Sequence, residues 1–206
     1  MQINFVISTR NKMKLQDLVQ FEIGTPLSRL NEQAGSPRYS LYDQADLQAD
    51  FETRTESTQG KQICTPDNPT LLQEDDVIFS LISGSAVQVC QARAGYAFSH
   101  NYARLYPSKE LDKSFLVYLL NNDTDIKRQL VASLQGSSVM KYSINQLKNL
   151  QLSPLPTLSV QQAIGQVDRL QRRITMLKKR VADNEAQLTA YLLNNFQKQC
   201  KSNIKN

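Results

Sequence analysis

The sequence of 206 residues is poor in the residues that build metal centres and disulfide frameworks. It contains one histidine, His100, and three cysteines that lie far apart, at positions 64, 90 and 200. A single histidine excludes a histidine-based metal cluster, and three scattered cysteines fit neither a disulfide framework nor a zinc site. Reduced thiols are the ordinary state of such cysteines in a cytoplasm, so we expect a cytoplasmic location.

Long apolar runs are also absent. A membrane-spanning helix needs about 18 apolar residues in a row, and no stretch of the sequence is that long. Residues 1–14 show no apolar segment followed by a small-residue cleavage site, so secretion is not expected. No Gly-x-Gly loop occurs, which leaves a Rossmann-type pocket for a nucleotide or methyl donor without support. The acidic residues of 67–76 lack the lysine that a nuclease site needs two positions later, where Ile78 stands, and we expect them to be solvated loop and cap residues. The sequence therefore predicts no catalytic centre.

Proline and glycine divide the chain. All seven prolines lie within residues 1–156, and one glycine, Gly165, lies beyond them. The stretch from Ser159 to about residue 200 has no other breaker and predicts one long helix. Ser159 and Gln162 predict a capping box at its start. The predicted division has three parts: a globular domain over 1–156, a long helix over 157–200 and a tail over 201–206.

The long helix carries an apolar seam that repeats every seven residues, which predicts a coiled coil. A helix of about 42 residues is about 60 Å long and contains no turn on which it could fold back. A second copy of the same helix is the simplest cover for the seam, and packing along its own domain, about 35 Å across, is the alternative. Asn184 in the seam favours one register. The seam residues predicted to mediate dimerisation are Val160, Val167, Leu170, Ile174, Leu177, Val181 and Leu188.

The first 156 residues show mixed helix and strand patterns. Residues 30–75 are polar and predict loops and short strands. The predicted strands cover 76–82, 86–90 and 101–106, and the predicted helices cover 111–120, 123–134 and 143–150. Asp112 is the predicted cap of the first of these helices, and Ser143 with Gln146 predicts a capping box at the start of the last. We therefore predict an α+β fold, in which a mixed globular domain precedes one long C-terminal coiled-coil helix.

The order of several short segments resembles the specificity subunits of type I restriction-modification systems. Full-length members have two target-recognition domains that alternate with two helices, whereas this sequence has one of each and resembles a half-length form. The segments that carry the resemblance are 14–18 and 24–29 (domain entry), 74–80 and 95–101 (central strands), 111–120 (helix), 136–141 and 147–156 (domain exit), and 160–162 with the heptad helix (spacer).

This resemblance implies a non-catalytic DNA-recognition subunit that acts as a homodimer on a symmetric bipartite site. The implied partners are double-stranded DNA, a second copy of the chain, an adenine methyltransferase subunit and a restriction or translocase subunit. S-adenosylmethionine and ATP are expected in those partner subunits, and no cofactor is expected in this chain. The alternative is a coiled-coil adaptor or inhibitor that binds the methyltransferase without reading DNA.

The positive charge is not concentrated in the predicted recognition domain. Residues 1–156 hold 15 Lys and Arg against 16 Asp and Glu, whereas residues 157–206 hold 9 against 3. Nine of the acids fall in residues 43–76, a segment that cannot face phosphate. Hydroxyls and glycine-bounded amides contact phosphates, and arginine can form a fork with guanine. On these grounds the residues predicted to contact DNA are Ser28, Arg29, Ser83, Ser85, Arg93, Ser137, Ser138 and Lys141. The basic residues of 169–180 predict a solvated face, a phosphate-facing strip or a surface for acidic partners.

Overall fold

A computed structural model describes residues 13–56, 60–134 and 141–203, with the side chains of 133–134 and 199–203 left out. The chain divides into two compact units, Met1–Arg169 and Leu170–Asn206. The long C-terminal helix supplies the last residues of the first unit and continues through the second. The predicted boundary at residue 156 stays a prediction.

The described residues form short strands and five helices, two of them shorter than nine residues. The strands are β1 (Met13–Lys14), β2 (Val19–Ile23), β3 (Arg38–Tyr42), β4 (Gln62–Cys64), β5 (Val77–Ser80), β6 (Ala86–Gln88), β7 (Ala97–Phe98), β8 (Tyr102–Pro107) and β9 (Gln151–Leu152). The helices are α1 (Gln44–Phe51), α2 (Lys113–Asn122), α3 (Thr124–Leu134), α4 (Ile144–Lys148) and α5 (Leu158–Asn203). These elements confirm the predicted α+β class with one long C-terminal helix.

The strands pair in three sheets. The largest is antiparallel with the order β2-β8-β5-β6. A second sheet has the order β4-β3-β7, in which β3 pairs antiparallel with β4 and parallel with β7. β1 and β9 form a small antiparallel pair that joins the two ends of the domain. The largest sheet positions the candidate site described below.

The central strand β5 of the four-stranded sheet is buried on both faces, which explains its continuous apolar run. Successive side chains of a strand point to opposite faces, so β5 contributes Val77 and Phe79 to one cluster and Ile78 to the other. The first cluster contains apolar residues of α2, α3 and α4. The second contains residues of β3, α1 and β7, among them Tyr42. The sheet is therefore the middle layer of the domain.

The prediction of loops and short strands over residues 30–75 is wrong for α1. Asp43 caps this helix, since its carboxylate accepts from the amides of Ala45 at 2.7 Å and Asp46 at 3.2 Å. The Asp46 carboxylate accepts in return from the Asp43 amide at 2.9 Å. The buried positions of α1 include Asp46 and Asp50, so its inner face lacks the apolar period that marks an amphipathic helix.

The predicted capping box of the long helix is also wrong. α5 begins at Leu158, so Ser159 lies inside the first turn, and its hydroxyl lies 3.1 Å from that of Thr157. The predicted box at Ser143 and Gln146 is confirmed at the start of α4. In the part of the chain that the structure describes, no helix is long and apolar enough to span a membrane.

Candidate nucleic-acid interface

Four segments meet at one end of the four-stranded sheet, which we call the loop end: residues 24–30, 81–85, 99–101 and 141–142. β2 and β5 end there, and their antiparallel neighbours β8 and β6 begin there. Backbone hydrogen bonds join the segments. The amide of Leu81 donates to Asn101 O at 2.8 Å, and the amide of Tyr142 donates to Leu81 O at 2.8 Å. The loop end is therefore one connected surface built from segments distant in sequence.

The turn between β5 and β6 is held from below by Ser80. The Ser80 hydroxyl accepts from the amides of Ile82 at 3.3 Å and Ser83 at 3.1 Å, and the Ser80 carbonyl accepts from Gly84 at 2.9 Å. Gly84 has φ of +70°, and a Cβ there would lie 2.5 Å from the Tyr142 ring. Glycine is required on both counts. The turn presents Ser83 as exposed and Ser85 as half-buried.

Lys141 lies beside the same turn. Its ammonium donates to Asn101 Oδ1 at 3.0 Å, and Tyr142 follows it directly against Gly84. The structure thus brings Ser83, Ser85 and Lys141 to one end of the domain. The predicted residues Ser137 and Ser138 lie outside the described residues.

Ser28 and Arg29 belong to a short 3-10 turn, Leu27–Arg29, and both are exposed. The segment is attached to the loop end at its start, where the amide of Gly24 donates to Tyr102 O at 3.2 Å. A Cβ on Gly24 would lie 2.3 Å from Phe98 O, so no side chain fits where β2 leaves the sheet. The segment 24–30 thus starts at the sheet and carries the predicted pair Ser28 and Arg29. Directly after it, the Asn31 amide donates to Asp67 Oδ2 at 2.8 Å.

The four segments contain no acidic residue and carry the cations of Arg29 and Lys141 together with His100. Two carboxylates outside the four segments interact with Tyr102, the first residue of β8. Burial, and after it Asp43 and Asp46, raise the pKa of Tyr102. Both carboxylates accept amide hydrogen bonds at the start of α1, whose helix dipole offsets part of their charge. Hydroxyls, a guanidinium and an ammonium on this surface can bind phosphates, and arginine can also read guanine.

The prediction that Arg93 contacts DNA does not fit its burial. Arg93 is 0% exposed, and its Nε donates to Asp50 Oδ1 at 2.8 Å. Its terminal nitrogens donate to Glu56 O at 2.8 Å and Arg54 O at 2.6 Å. The Tyr42 hydroxyl also donates to Asp50, at 2.7 Å, and burial followed by this carboxylate raises the Tyr42 pKa. Arg93 therefore holds the chain after α1 from within the core.

Arg104, which carries another of the domain's positive charges, is also used internally. Its Nε donates to Glu22 Oε2 at 2.9 Å, and its NH1 donates to Asp76 Oδ2 at 2.8 Å. The expectation that the acids of 67–76 are solvated is thus wrong for Asp76, which is buried. Burial raises the Glu22 pKa, but hydrogen bonds from Tyr106 and Arg104 outweigh it and leave this pKa lowered.

The predicted dimerisation residues are all exposed in the single chain. In the first unit, Val160 is 44% exposed and Val167 is 66% exposed. In the second unit the exposures of the remaining five run from 45% to 59%: Leu170, Ile174, Leu177, Val181 and Leu188. Large apolar side chains aligned on one helix face are the kind of surface that a partner helix covers.

Tyr142 is a tyrosine that could stack on a base or bond phosphate, although core packing is expected, and its ring lies against Gly84 at the loop end. Two further residues are not indicated by any sequence pattern: Asn101, which binds Lys141, and the buried Gln161, which anchors α5. Their contacts join positions tens of residues apart, so no local spacing signals them. Within the described residues, no group of three or more His, Cys, Asp or Glu could hold a metal ion.

The family model of the type I restriction modification DNA specificity domain matches residues 8–184, and the chain belongs to this family. Among solved structures, one chain comes from a study of complex assembly and conformational transition of the type I R-M system. It is 22% identical to this chain, with a TM-score of 0.56, and the match covers 85% of this chain and 42% of that chain. The HsdS subunit from Thermoanaerobacter tengcongensis is 21% identical with a TM-score of 0.55, covering 85% and 41%. These two likenesses establish the fold, and this chain spans about two fifths of their length. No curated protein matches.

Proposed function

Starting from membership of the type I restriction modification DNA specificity family, we propose that this chain reads DNA through the loop end and pairs with a second copy through α5. The pair reads a bipartite site whose halves are related by symmetry, because two-fold protein symmetry is mirrored in the target. The chain is non-catalytic in this proposal. It positions an adenine methyltransferase subunit and a restriction or translocase subunit, and those partners bind S-adenosylmethionine and ATP.

The observation that carries the DNA-reading proposal is the composition of the loop end. Hydroxyls, amides and two cations are carried by four segments at one end of the sheet that themselves contain no acidic residue, while β5 below them is packed on both faces. Contacts to phosphates fix the register of a protein on DNA, and side chains on rigid turns read bases. Ser83 and Lys141 are the residues best held for these roles.

Fluorescence anisotropy with a DNA duplex that contains the sequence bound by the chain tests whether the loop end reads DNA. The double variant R29A/K141A should bind more weakly, and its slope of log affinity against log salt should be shallower by about 0.9 for each lost phosphate contact. The control is K109A, because Lys109 is exposed and follows β8 at the opposite end of the sheet. Equal loss in both variants would contradict a DNA surface at the loop end.

The dimer part rests on the exposed seam and has a separate test. Light scattering at micromolar concentration should give twice the 23.4 kDa of one chain. I174D/L177D should give the monomer mass, since a buried carboxylate pair would oppose helix pairing. A monomeric wild-type chain contradicts the dimer, whatever the DNA experiment shows.

One observation favours the second candidate, an adaptor or inhibitor. The domain is close to neutral, and Arg93 and Arg104 form ion pairs with carboxylates of the same domain. A nearly neutral domain suits protein partners better than DNA phosphates. Reconstitution with the methyltransferase separates the two functions. DNA recognition requires methylation of a symmetric interrupted site when the chain is added, and inhibition requires its loss.

A further inference from the structure

The first three turns of α5 have two different faces. Both belong to the compact unit Met1–Arg169. One face, formed by Gln161, Gly165 and Asp168, lies against α2 and its preceding loop. The seam residues Val160 and Val167 lie on another face and are exposed. The start of the pairing seam is therefore built into the domain.

Gln161 is the polar anchor of the docked face. It is 1% exposed, and its side-chain amide makes three hydrogen bonds. Oε1 accepts from the Asp112 amide at 2.9 Å, while Nε2 donates to Glu110 O at 3.1 Å and Pro156 O at 2.9 Å. Asp112 is also the N-cap of α2. One side chain thus ties the start of α5 to the entry of α2 and to the end of the proline segment.

The two helices approach so closely that only glycine fits between them. A Cβ on Gly165 would lie 2.5 Å from Ser114 Cβ and 2.7 Å from the Phe115 amide nitrogen. Asn122, at the end of α2, donates to Asp168 Oδ1 at 2.6 Å. Contacts at positions 161, 165 and 168 recur at intervals of four and three residues, so they form one stripe along α5.

The same contacts continue to the loop end. Asn121 of α2 binds both backbone groups of Ala86, accepting from its amide at 2.9 Å and donating to its carbonyl at 2.7 Å. Ala86 is the first residue of β6 and directly follows Ser85 of the loop end. A continuous series of hydrogen bonds and close packing therefore connects the seam-bearing turns of α5 with the turn that carries Ser83.

We propose that Gln161 is a positioning residue that fixes the first seam positions, Val160 and Val167, against the loop end and so restricts the dimer to one half-site spacing. This inference rests on the proposed function. One base pair added between half-sites moves them apart by about 3.4 Å and rotates one against the other by about 35°. If each domain is held rigidly to the start of its α5 helix, the dimer cannot adjust to the new distance and rotation between half-sites. If these contacts are loosened, the domains can reorient and bind both half-sites.

The test measures the affinity of the full chain for duplexes whose spacer is shortened or lengthened by one or two base pairs. The wild-type chain should lose about tenfold at one base pair from the optimum, comparable to one mismatched base pair. Q161A should bind all spacers within about threefold of each other, while its affinity for a duplex with a single half-site stays that of the wild type. Q162A alters the exposed neighbour and should keep the wild-type profile.

A second variant covers the case in which Q161A does not fold. N122A breaks only the contact to Asp168 at the exposed end of the stripe, and its profile should be intermediate. A profile in Q161A or N122A as steep as the wild type overturns the inference. If the wild-type chain binds no bipartite duplex at all, the proposed function fails, which is a different result.

Discussion

The buried pair of Arg93 and Asp50 leads to the most quantitative expectation. Both side chains are 0% exposed, and they lie 43 residues apart in the sequence. In R93M the Asp50 carboxylate keeps bonds from the Tyr42 hydroxyl and the Cys90 amide but loses its only arginine among the described residues. The carbonyls of residues 54 and 56 lose their donors as well. Removing one member of a buried pair costs about 3–5 kcal/mol in free energy of unfolding.

Urea denaturation at a fixed chain concentration measures this loss, since the stability of a dimer depends on concentration. The midpoint of thermal unfolding should fall by about 6–20 °C. R29M is the matched control, because Arg29 is exposed, and it should stay within about 0.5 kcal/mol of the wild type. The folded fraction of R93M should bind DNA with unchanged affinity. An R93M chain that keeps its stability and loses DNA binding would refute the assignment of Arg93 to the core.

Three further variants test other parts of the domain. The stability of E22Q should fall less steeply at acid pH than that of the wild type. The lowered pKa of Glu22 contributes stability that is present above the unfolded pKa of about 4.3 and is lost as the pH falls through the folded pKa. Melting curves at a series of pH values measure the difference. N121A should lose about 2–4 kcal/mol in urea unfolding because two backbone groups of Ala86 lose their partner. G84A should be less stable than G35A by about 1–3 kcal/mol, since both glycines have positive φ but only the Cβ at residue 84 would meet another residue, the Tyr142 ring.

Elements with local signals were predicted well from the sequence. Asp112 before α2 and the Ser143–Gln146 box before α4 are short-range hydrogen-bonding patterns, and the structure has both. The heptad pattern predicted α5 because its side chains repeat along one helix. Helix α1 was missed because two of its buried positions are aspartates. The burial of Asp50 depends on distant partners such as Arg93, and no local pattern shows this.

In the candidate site, too, features with a local signal were predicted and features that depend on distant contacts were not. The sequence predicts Ser83 from its hydroxyl beside a glycine and Lys141 from its positive charge, but their meeting at one end of a sheet depends on strand pairing between segments far apart. Arginine can form a fork with guanine, which is why the sequence predicts that Arg93 contacts DNA, but the buried Asp50 carboxylate, 43 residues away, binds its guanidinium. Long-range pairing of charges is what composition leaves out.

Selection of duplexes from a random DNA pool by the purified chain, followed by sequencing, tests the central claim most directly. A dimer of loop ends should enrich an interrupted site with two symmetry-related halves at one fixed spacing. The double variant R29A/K141A should enrich it less, and K109A should enrich it as the wild type does. Enrichment of a single uninterrupted sequence, or of none, would contradict a symmetric pair of DNA-reading domains joined through α5.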